Sequence, residues 1–276
     1  MTAAEFTQES IVARLRAAGC VFAEDEARLL TETATDSREL ASMIARRESG
    51  TPLEQVLGWA EFCGTRIIVE PDVFVPRRRT ELLVREAVGI ATSAPSSVLV
   101  VVELCCGSGA VGAMVHRGIA EAGRQPAGVE LHVADNHPAA VHCARRNIPA
   151  DAHCYLGDLF APLPATLRGN VDLIVANAPY VPSSAIETMP PEARHYEPRD
   201  ALDGGTDGLE VQRRIIADAP DWLASPGHVL VETSRAQAAG TAQAMHAAGL
   251  RPRTVSAADL DATVLIGQLP AAETVS

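Results

Sequence analysis

The chain has 276 residues, of which 47% are hydrophobic and 21% are charged, values typical of an ordinary folded globular protein. No apolar run reaches the roughly 18 residues that a membrane-spanning helix needs, and the opening stretch MTAAEFTQESIVARL carries acids where a signal peptide carries basic residues. We therefore expect a cytoplasmic protein with no membrane association. The net charge is −12 and every basic residue is an arginine, which disfavours a duplex nucleic-acid partner because such binding needs clustered Lys and Arg.

Residues 1–60 are predicted to form a small helical domain. Apolar residues recur in this segment at the three- and four-residue spacing of a helix face. Gly19 and Gly50 stand where helices should end. The residues that carry the periodic pattern are Ile11, Val12, Leu15, Ala18, Ala27, Leu29, Leu30, Leu40, Met43 and Ile44.

A β-hairpin linker is predicted over residues 61–79. The stretch FCGTRIIVEPDVFVP (Phe62–Pro76) is rich in β-branched and aromatic residues, which favour strands. Glu70–Asp72, in its middle, is a turn signal between two short strands. We expect this hairpin to join the helical domain to a second domain at residues 80–276.

From residue 80 onward, predicted helices alternate with predicted strands. Helices are expected at 80–92, 139–146, 209–217 and 236–248, and one further helix is expected directly after a glycine-rich turn. Strands are expected in SVLVVVEL, in VELHVAD, near 153–156, in VDLIVA, in HVLVET and near 253–256 and 262–267. Alternating strands and helices indicate the α/β class, with a parallel, doubly wound, Rossmann-like sheet covered on both faces.

The glycine-rich turn after the first strand, ELCCGSGAVG, predicts a ligand site. It contains the spacing Gly107-x-Gly109-x-x-Gly112, and glycines allow a ligand to approach the backbone because they carry no Cβ. The N-terminus of the following helix offers free N–H groups. Asp135 ends the second strand, at the right distance to bind a ribose. This pattern fits both a nicotinamide enzyme and an S-adenosylmethionine enzyme.

Three further features favour S-adenosylmethionine. Glu103, just before the turn, suits the ammonium group of a methionine moiety and would repel a pyrophosphate. Asp158 and Leu159 follow the third strand in GDLF, where the carboxylate can accept a hydrogen bond from an adenine amino group. The fourth strand ends in Asn177–Tyr180, a polar and rigid turn for which a hydride-transfer enzyme has no use.

These residues resemble the S-adenosylmethionine-dependent methyltransferases that carry an Asn/Asp-Pro-Pro-Tyr motif. Within them the chain is similar to the HemK-type enzymes, which methylate the side-chain amide of glutamine in peptide-chain release factors. The resemblance extends to VLGWAEFCG, VFVPRRRTELLV and HYEPRDALDGGTDGLEVQRRI. It implies an N-terminal helical domain that recognises the protein substrate, a seven-stranded class I methyltransferase sheet, S-adenosyl-L-methionine as cofactor and S-adenosyl-L-homocysteine as product.

The resemblance also implies a set of site residues. The side-chain oxygen of Asn177 and the backbone oxygen of Ala178 are expected to hold the two N–H bonds of the substrate amide, while Pro179 fixes the turn and Tyr180 packs on the amide plane. These four are the predicted catalytic residues. The predicted cofactor-binding residues are Glu103, Cys105, Cys106, Gly107, Ser108, Gly109, Asp135, Asn136, Asp158, Leu159 and Asn177.

The chain departs from the family pattern at four places. Ala178 replaces the first proline of Asn-Pro-Pro-Tyr, a mild change because Ala keeps the carbonyl oxygen, although it is less rigid. Glu103 and Cys105 stand where the family has Asp and Gly. Arg78 and Arg79 replace a Pro-Glu pair of the linker, which bears on the substrate more than on the reaction type.

The leading hypothesis is therefore methylation of a protein glutamine, in the Gly-Gly-Gln loop of a release factor, by a monomeric chain. The alternatives are a methyltransferase acting on a nucleobase amino group or on a small molecule, a non-catalytic S-adenosylmethionine-binding adaptor, and a nicotinamide oxidoreductase. No metal is expected, because the six cysteines and eight histidines show no metal-binding spacing. The adjacent cysteines in the turn are interpreted as reduced thiols.

Overall fold

The computed structural model describes residues 7–94, 98–123 and 128–271. Its first part is helical: α1 (Gln8–Ala17), α2 (Ala23–Thr33), α3 (Ser37–Glu48) and α4 (Leu53–Leu57). Side chains start two of these helices, since Thr7 accepts a hydrogen bond from Ser10 N and Asp36 accepts from Arg38 N and Glu39 N. The helices pack on a core of their own that includes the fully buried Ile11, Leu15, Leu30 and Ile44.

A two-stranded hairpin follows, but its turn differs from the prediction. Strands β1 (Trp59–Phe62) and β2 (Thr65–Ile68) pair antiparallel, with Phe62 opposite Thr65. The turn residues are Cys63 and Gly64, both with positive φ, as tight hairpin turns require. The predicted turn at Glu70–Asp72 is wrong: this segment follows β2 and belongs to the connection that leads toward α5.

The remainder alternates between helices and strands as predicted. The elements are α5 (Glu81–Ser93), β3 (Leu99–Leu104), α6 (Ala110–Glu121), β4 (Val129–Asp135), α7 (Pro138–Asn147), β5 (His153–Leu156), β6 (Val171–Ala176), α8 (Pro191–Tyr196), α9 (Glu210–Trp222), β7 (Leu223–Thr233), α10 (Ala238–Ala247), β8 (Arg251–Ala257) and β9 (Ala262–Gln268). Part of the Ser/Pro-rich stretch before β3, with Ser97 of the predicted first strand, lies outside the described residues. None of the described helices is long and apolar enough to cross a bilayer.

The seven-stranded sheet has the order β5-β4-β3-β6-β7-β9-β8. The α/β class and the seven-stranded Rossmann-like sheet are thus confirmed. The sheet is mixed, however, because β9 runs antiparallel to both β7 and β8. Only residues 258–261 separate β8 from β9, which is room for a hairpin turn but not for the crossover that a parallel pair requires.

Apolar side chains cover both faces of this sheet. One core joins the sheet to α5 and α6 and contains Leu82, Leu83, Val101, Val115 and Leu173. The other joins it to α9 and α10 and contains Val102, Ile174, Ile215, Trp222 and Met245. The strands β3 and β6 contribute to both cores, which is why their sequences read as continuous apolar runs.

Two helical glycines provide a test of this packing. A Cβ at Gly112 in α6 would lie 2.6 Å from Glu103 Oε2 and 3.2 Å from two side-chain carbons of β4. Gly112→Ala should therefore lower the free energy of unfolding by about 1–3 kcal/mol. Gly89 in α5 has nothing within 4 Å of its Cβ position, so Gly89→Ala should raise it by about 0.5–1 kcal/mol. Urea denaturation measures both, and equal effects would contradict the close approach at Gly112.

Candidate active site

The ends of three parallel strands meet at one edge of the sheet. Leu104, the last residue of β3, pairs with Ala134 on one side and with Ala176, the last residue of β6, on the other. The loops that follow β3, β4 and β6 therefore lie side by side, as expected where ligands bind in open α/β sheets. A cavity opens there, and the predicted residues that line it are Glu103, Cys105, Cys106, Gly107, Ser108, Asp135, Asn136, Asp158, Leu159, Asn177, Ala178, Pro179 and Tyr180.

The glycine-rich loop is held by Asp135. One carboxylate oxygen accepts a hydrogen bond from Gly107 N at 2.9 Å, and the other accepts from His137 N at 2.9 Å. Cys105 has a φ of 53°, in the left-handed region that favours glycine, so the backbone of this cysteine is strained. The loop therefore adopts a glycine-like conformation one residue before its first strictly buried member, Cys106.

Gly109 differs from the other predicted loop residues because it is not among those that line the cavity. It precedes α6, and a Cβ there would lie 3.0 Å from both Ala144 Cβ and Ile148 Cγ2. Its φ of 73° also favours glycine. The structure therefore gives Gly109 a packing role between α6 and α7.

Glu103 is buried at the end of β3, with 3% of its surface exposed. Its Oε2 accepts a hydrogen bond from Gly112 N, in the first turn of α6, at 2.8 Å. Burial raises the pKa of Glu103 to about 8, although the N–H groups of Gly112 and Val111 act in the opposite direction. One oxygen of the carboxyl group is therefore committed to the helix, while the residue still lines the cavity.

Asp158 and Leu159 lie on the far side of the cavity, after β5. The Asp158 carboxylate forms an ion pair with Arg214 of α9, and both side chains are more than half exposed. Leu159 has a φ of 47° and packs in the core beside α9. Because an exposed ion pair contributes little to stability, Asp158 can exchange this partner at small cost.

Asn177 follows β6 and is held by a residue that the sequence interpretation missed. Its Nδ2 donates a hydrogen bond to Thr80 Oγ1 at 3.3 Å, and Thr80, just before α5, is buried. Within the described ranges, the Asn177 side-chain oxygen has no hydrogen-bond partner, so it is available as an acceptor toward the cavity. Ala178 is 1% exposed, which fixes its backbone by packing.

The Tyr180 hydroxyl contacts Glu232 in β7, a second site residue that the sequence analysis did not predict. The Tyr180 hydroxyl donates to Glu232 Oε1 at 3.2 Å and accepts from Arg79 Nη1 at 3.5 Å. Glu232 is 1% exposed, and burial raises its pKa, although hydrogen bonds from Thr80 and Tyr180 act in the opposite direction. Burial also raises the pKa of Tyr180 to about 12. The sequence signal for Glu232 was a charged residue at the end of the apolar run HVLVE.

Glu197 is a third missed residue and comes from the long loop after β6. Its Oε1 accepts hydrogen bonds from Val75 N at 3.1 Å and from Arg77 at 2.7 Å, while its Oε2 is buried without a partner. Burial raises its pKa. Glu103, Asp135 and Glu197 thus line the cavity with carboxyl groups, and a cation bound beside them would favour their charged form.

The raised pKa of Glu103 predicts how stability depends on pH. The unfolded value of 4.5 lies below the folded value of about 8, so the folded state keeps a proton that the unfolded state has lost. The resulting stabilisation is complete at low pH and is lost as pH rises through the folded pKa. Between pH 6.5 and 8, the urea midpoint should fall in the wild type and fall less in Glu103→Gln. The pKa of the buried His132 and that of the half-buried His228 are lowered by desolvation, so their titration affects stability below this range. Equal slopes in the two proteins would contradict the shift.

Comparison with known proteins identifies the family, although no family model matches the chain. The release factor glutamine methyltransferase of Geobacter sulfurreducens is 39% identical over 201 residues, 71% of this chain and 65% of that protein, slightly under two thirds. The corresponding protein of Mycolicibacterium smegmatis is 36% identical over 225 residues, 80% of this chain and 76% of that protein.

A solved structure agrees on the fold. The ribosomal protein L11 methylase from Lactobacillus delbrueckii subsp. bulgaricus superposes with a TM-score of 0.51 at 17% identity, over 73% of this chain and 84% of that chain. At 17% identity this similarity shows only that the two proteins share a fold. The relatives above, which are aligned over most of the chain, show that the chain belongs to the release factor glutamine methyltransferase family.

Proposed function

We propose that this protein transfers a methyl group from S-adenosylmethionine to the side-chain amide nitrogen of a glutamine, in the Gly-Gly-Gln loop of a peptide-chain release factor. The observation that carries this proposal is the position of Asn177 and Ala178 beside the glycine-rich loop, in one cavity. Family membership supports both the reaction and the substrate class.

Open space at the glycine-rich loop and acidic groups in the lining support S-adenosylmethionine as the ligand of this cavity. A Cβ on Gly107 would meet only Phe74 Cβ, at 3.9 Å, and would otherwise occupy space inside the cavity. The acids that line it complement a ligand with two positive groups. When bound, S-adenosylmethionine supplies a methyl group on a positively charged sulfur. The residues proposed to hold it are Glu103, Cys105, Cys106, Gly107, Ser108, Asp135, Asn136, Asp158 and Leu159.

The substrate amide is a poor nucleophile because its nitrogen lone pair is delocalised into the carbonyl group. Two acceptors that hold both N–H bonds would favour a pyramidal nitrogen with its lone pair aimed into the cavity. The side-chain oxygen of Asn177 and the backbone oxygen of Ala178 are proposed as these acceptors. Pro179 limits the turn through its fixed φ, and Tyr180 offers a flat surface to the amide.

Positioning is proposed to supply most of the rate acceleration, because the aligned amide needs no further activation. The N-methylated amide nitrogen is strongly acidic while it still carries its extra proton, so water can accept that proton. No side chain of the chain is therefore assigned as a general base. Ala178 keeps the backbone acceptor that the proline of the Asn-Pro-Pro-Tyr motif would supply, and it is closely packed, with 1% of its surface exposed.

Asn177→Ala should abolish methyl transfer, because one of the two proposed acceptors is lost. Binding of S-adenosylhomocysteine, measured by calorimetry, should change by less than about tenfold. Asn170→Ala is the matched control, since Asn170 is exposed and lies outside the cavity lining, and it should behave as wild type. Near-normal turnover of Asn177→Ala would refute the assigned role.

Thr80 is expected to position Asn177. Thr80→Val keeps the shape but removes the acceptor of the Asn177 amide group, so kcat should fall by about tenfold, equivalent to roughly 1.4 kcal/mol. The KM for S-adenosylmethionine should change much less than kcat, because the lost hydrogen bond is to Asn177 and Thr80 is not among the residues proposed to hold the cofactor. Thr80→Ser keeps a hydroxyl and should restore most of the rate. A fall in both variants, or a change in KM alone, would argue against positioning.

The substrate is tested with labelled S-adenosylmethionine and three mixtures: release factors of the source organism, total RNA, and a small-molecule extract. Label on a release factor, located by mass spectrometry to the glutamine of its Gly-Gly-Gln loop, is the expected result. Label in the RNA or in the extract would replace this substrate with one of the alternative classes. Tight cofactor binding with no transfer to any mixture would indicate a non-catalytic adaptor.

A further inference from the structure

A cluster of metal-ligating side chains lies on β4 and β5, near their N-terminal ends and apart from the residues that line the cavity. His132 of β4 pairs directly with His153 of β5, and Ala134 pairs with Tyr155. Because side chains alternate along a strand, Glu130, His132, His153 and Tyr155 all project from the same face of the sheet. β5 is the edge strand at this side.

The three possible ligands converge. Glu130, His132 and His153 each offer one ligand atom, and these atoms lie within 4.8 Å of one another. His132 Nε2 and Glu130 Oε1 are 3.0 Å apart, and the two imidazole rings are stacked with centroids 4.9 Å apart. In a tetrahedral zinc site with bonds of about 2.0–2.2 Å, neighbouring ligand atoms are separated by roughly 3.3–3.5 Å. Small rotations of the exposed His153 and Glu130 side chains would reach this geometry.

The central ligand is already oriented by its surroundings. His132 is 2% exposed, and its Nδ1 lies 3.1 Å from the Tyr155 hydroxyl. On metal binding, Nε2 would exchange its hydrogen bond to Glu130 for the metal and release its proton. Nδ1–H would then donate to the Tyr155 hydroxyl, and such a hydrogen bond from the other ring nitrogen is usual for metal-bound histidines.

We infer that Glu130, His132 and His153 form a binding site for a divalent transition metal of the zinc type. Two imidazoles and one carboxylate are a ligand set that Zn²⁺ favours, and solvent would complete the coordination. The expectation from sequence was that no metal binds, because no spacing between histidines suggested one. The ligands come from two strands that the intervening helix α7 brings into register, so only the fold shows the site.

The site would fasten the edge strand to the sheet. β5 has four residues and, among the described strands, its one neighbour is β4. Asp135 follows His132 by three residues on β4, and the loop with Asp158 follows directly after β5. A metal bound between these strands would therefore hold in place the strand ends that carry one wall of the cavity. The metal itself would lie outside the cavity. This inference does not depend on the proposed reaction.

The probe is Zn²⁺ alone, titrated into the purified full chain in competition with a chromophoric chelator. One Zn²⁺ per chain should bind with an affinity in the micromolar range or tighter, and should raise the midpoint of thermal unfolding. His153→Ala and Glu130→Gln should each weaken this binding at least tenfold. Both positions are exposed, so the variants should fold. His142→Ala is the matched control, because His142 is an exposed histidine 3.9 Å from Glu70.

Three outcomes would overturn the inference. The first is no stoichiometric Zn²⁺ binding by the wild type. The second is equal affinity of the wild type and His153→Ala. The third is Zn²⁺ binding that persists in His153→Ala and disappears on alkylation of cysteines, which would assign the metal to thiols. An unchanged affinity in His142→Ala together with the expected loss in the other two variants supports the site.

Discussion

Parallel pairing of β3 between β4 and β6 is the constraint on which the site depends. The register places the last residue of β3 level with Ala134 and Ala176, so three chain segments leave the sheet at the same edge. A shift of one residue would turn every side chain of a strand to the opposite face, so the two cores fix this register. The glycine-rich loop, Asp135 and Asn177 become neighbours as a consequence of hydrophobic packing along the length of these strands.

The same edge concentrates carboxyl groups that are costly to bury. The pKa values of Glu103, Asp135, Glu197 and Glu232 are all raised, primarily by burial. Hydrogen bonds from backbone N–H groups, from Tyr180 and from Arg77 offset part of that cost. The free protein is thus destabilised at the place where a cation would bind, which is how binding sites commonly trade stability for function.

The sequence was sufficient wherever local pattern decides structure. Apolar runs located the strands, and the residues after them located the cavity, because strand ends converge in any such sheet. The hairpin turn was misplaced because Cys63-Gly64 is a weaker turn signal than Glu70–Asp72. Contacts between distant segments could not be predicted: Thr80 lies 97 residues from Asn177, its hydrogen-bond partner, and Glu232 lies 52 residues from Tyr180. Such pairs exist only once the chain has folded.

The helices at the start of the chain are bound to the loop beside the cavity. Arg47 of α3, itself buried, pairs with Glu26 of α2 and with Glu192 of α8, and Tyr196 donates its hydroxyl hydrogen to Ser49 O. A fragment that began at the sheet would lose these anchors and leave α8 without a support. Dissection of this protein into separately studied halves would therefore alter the entrance to the cavity, so substitutions within the intact chain are the sounder way to assign roles to its parts.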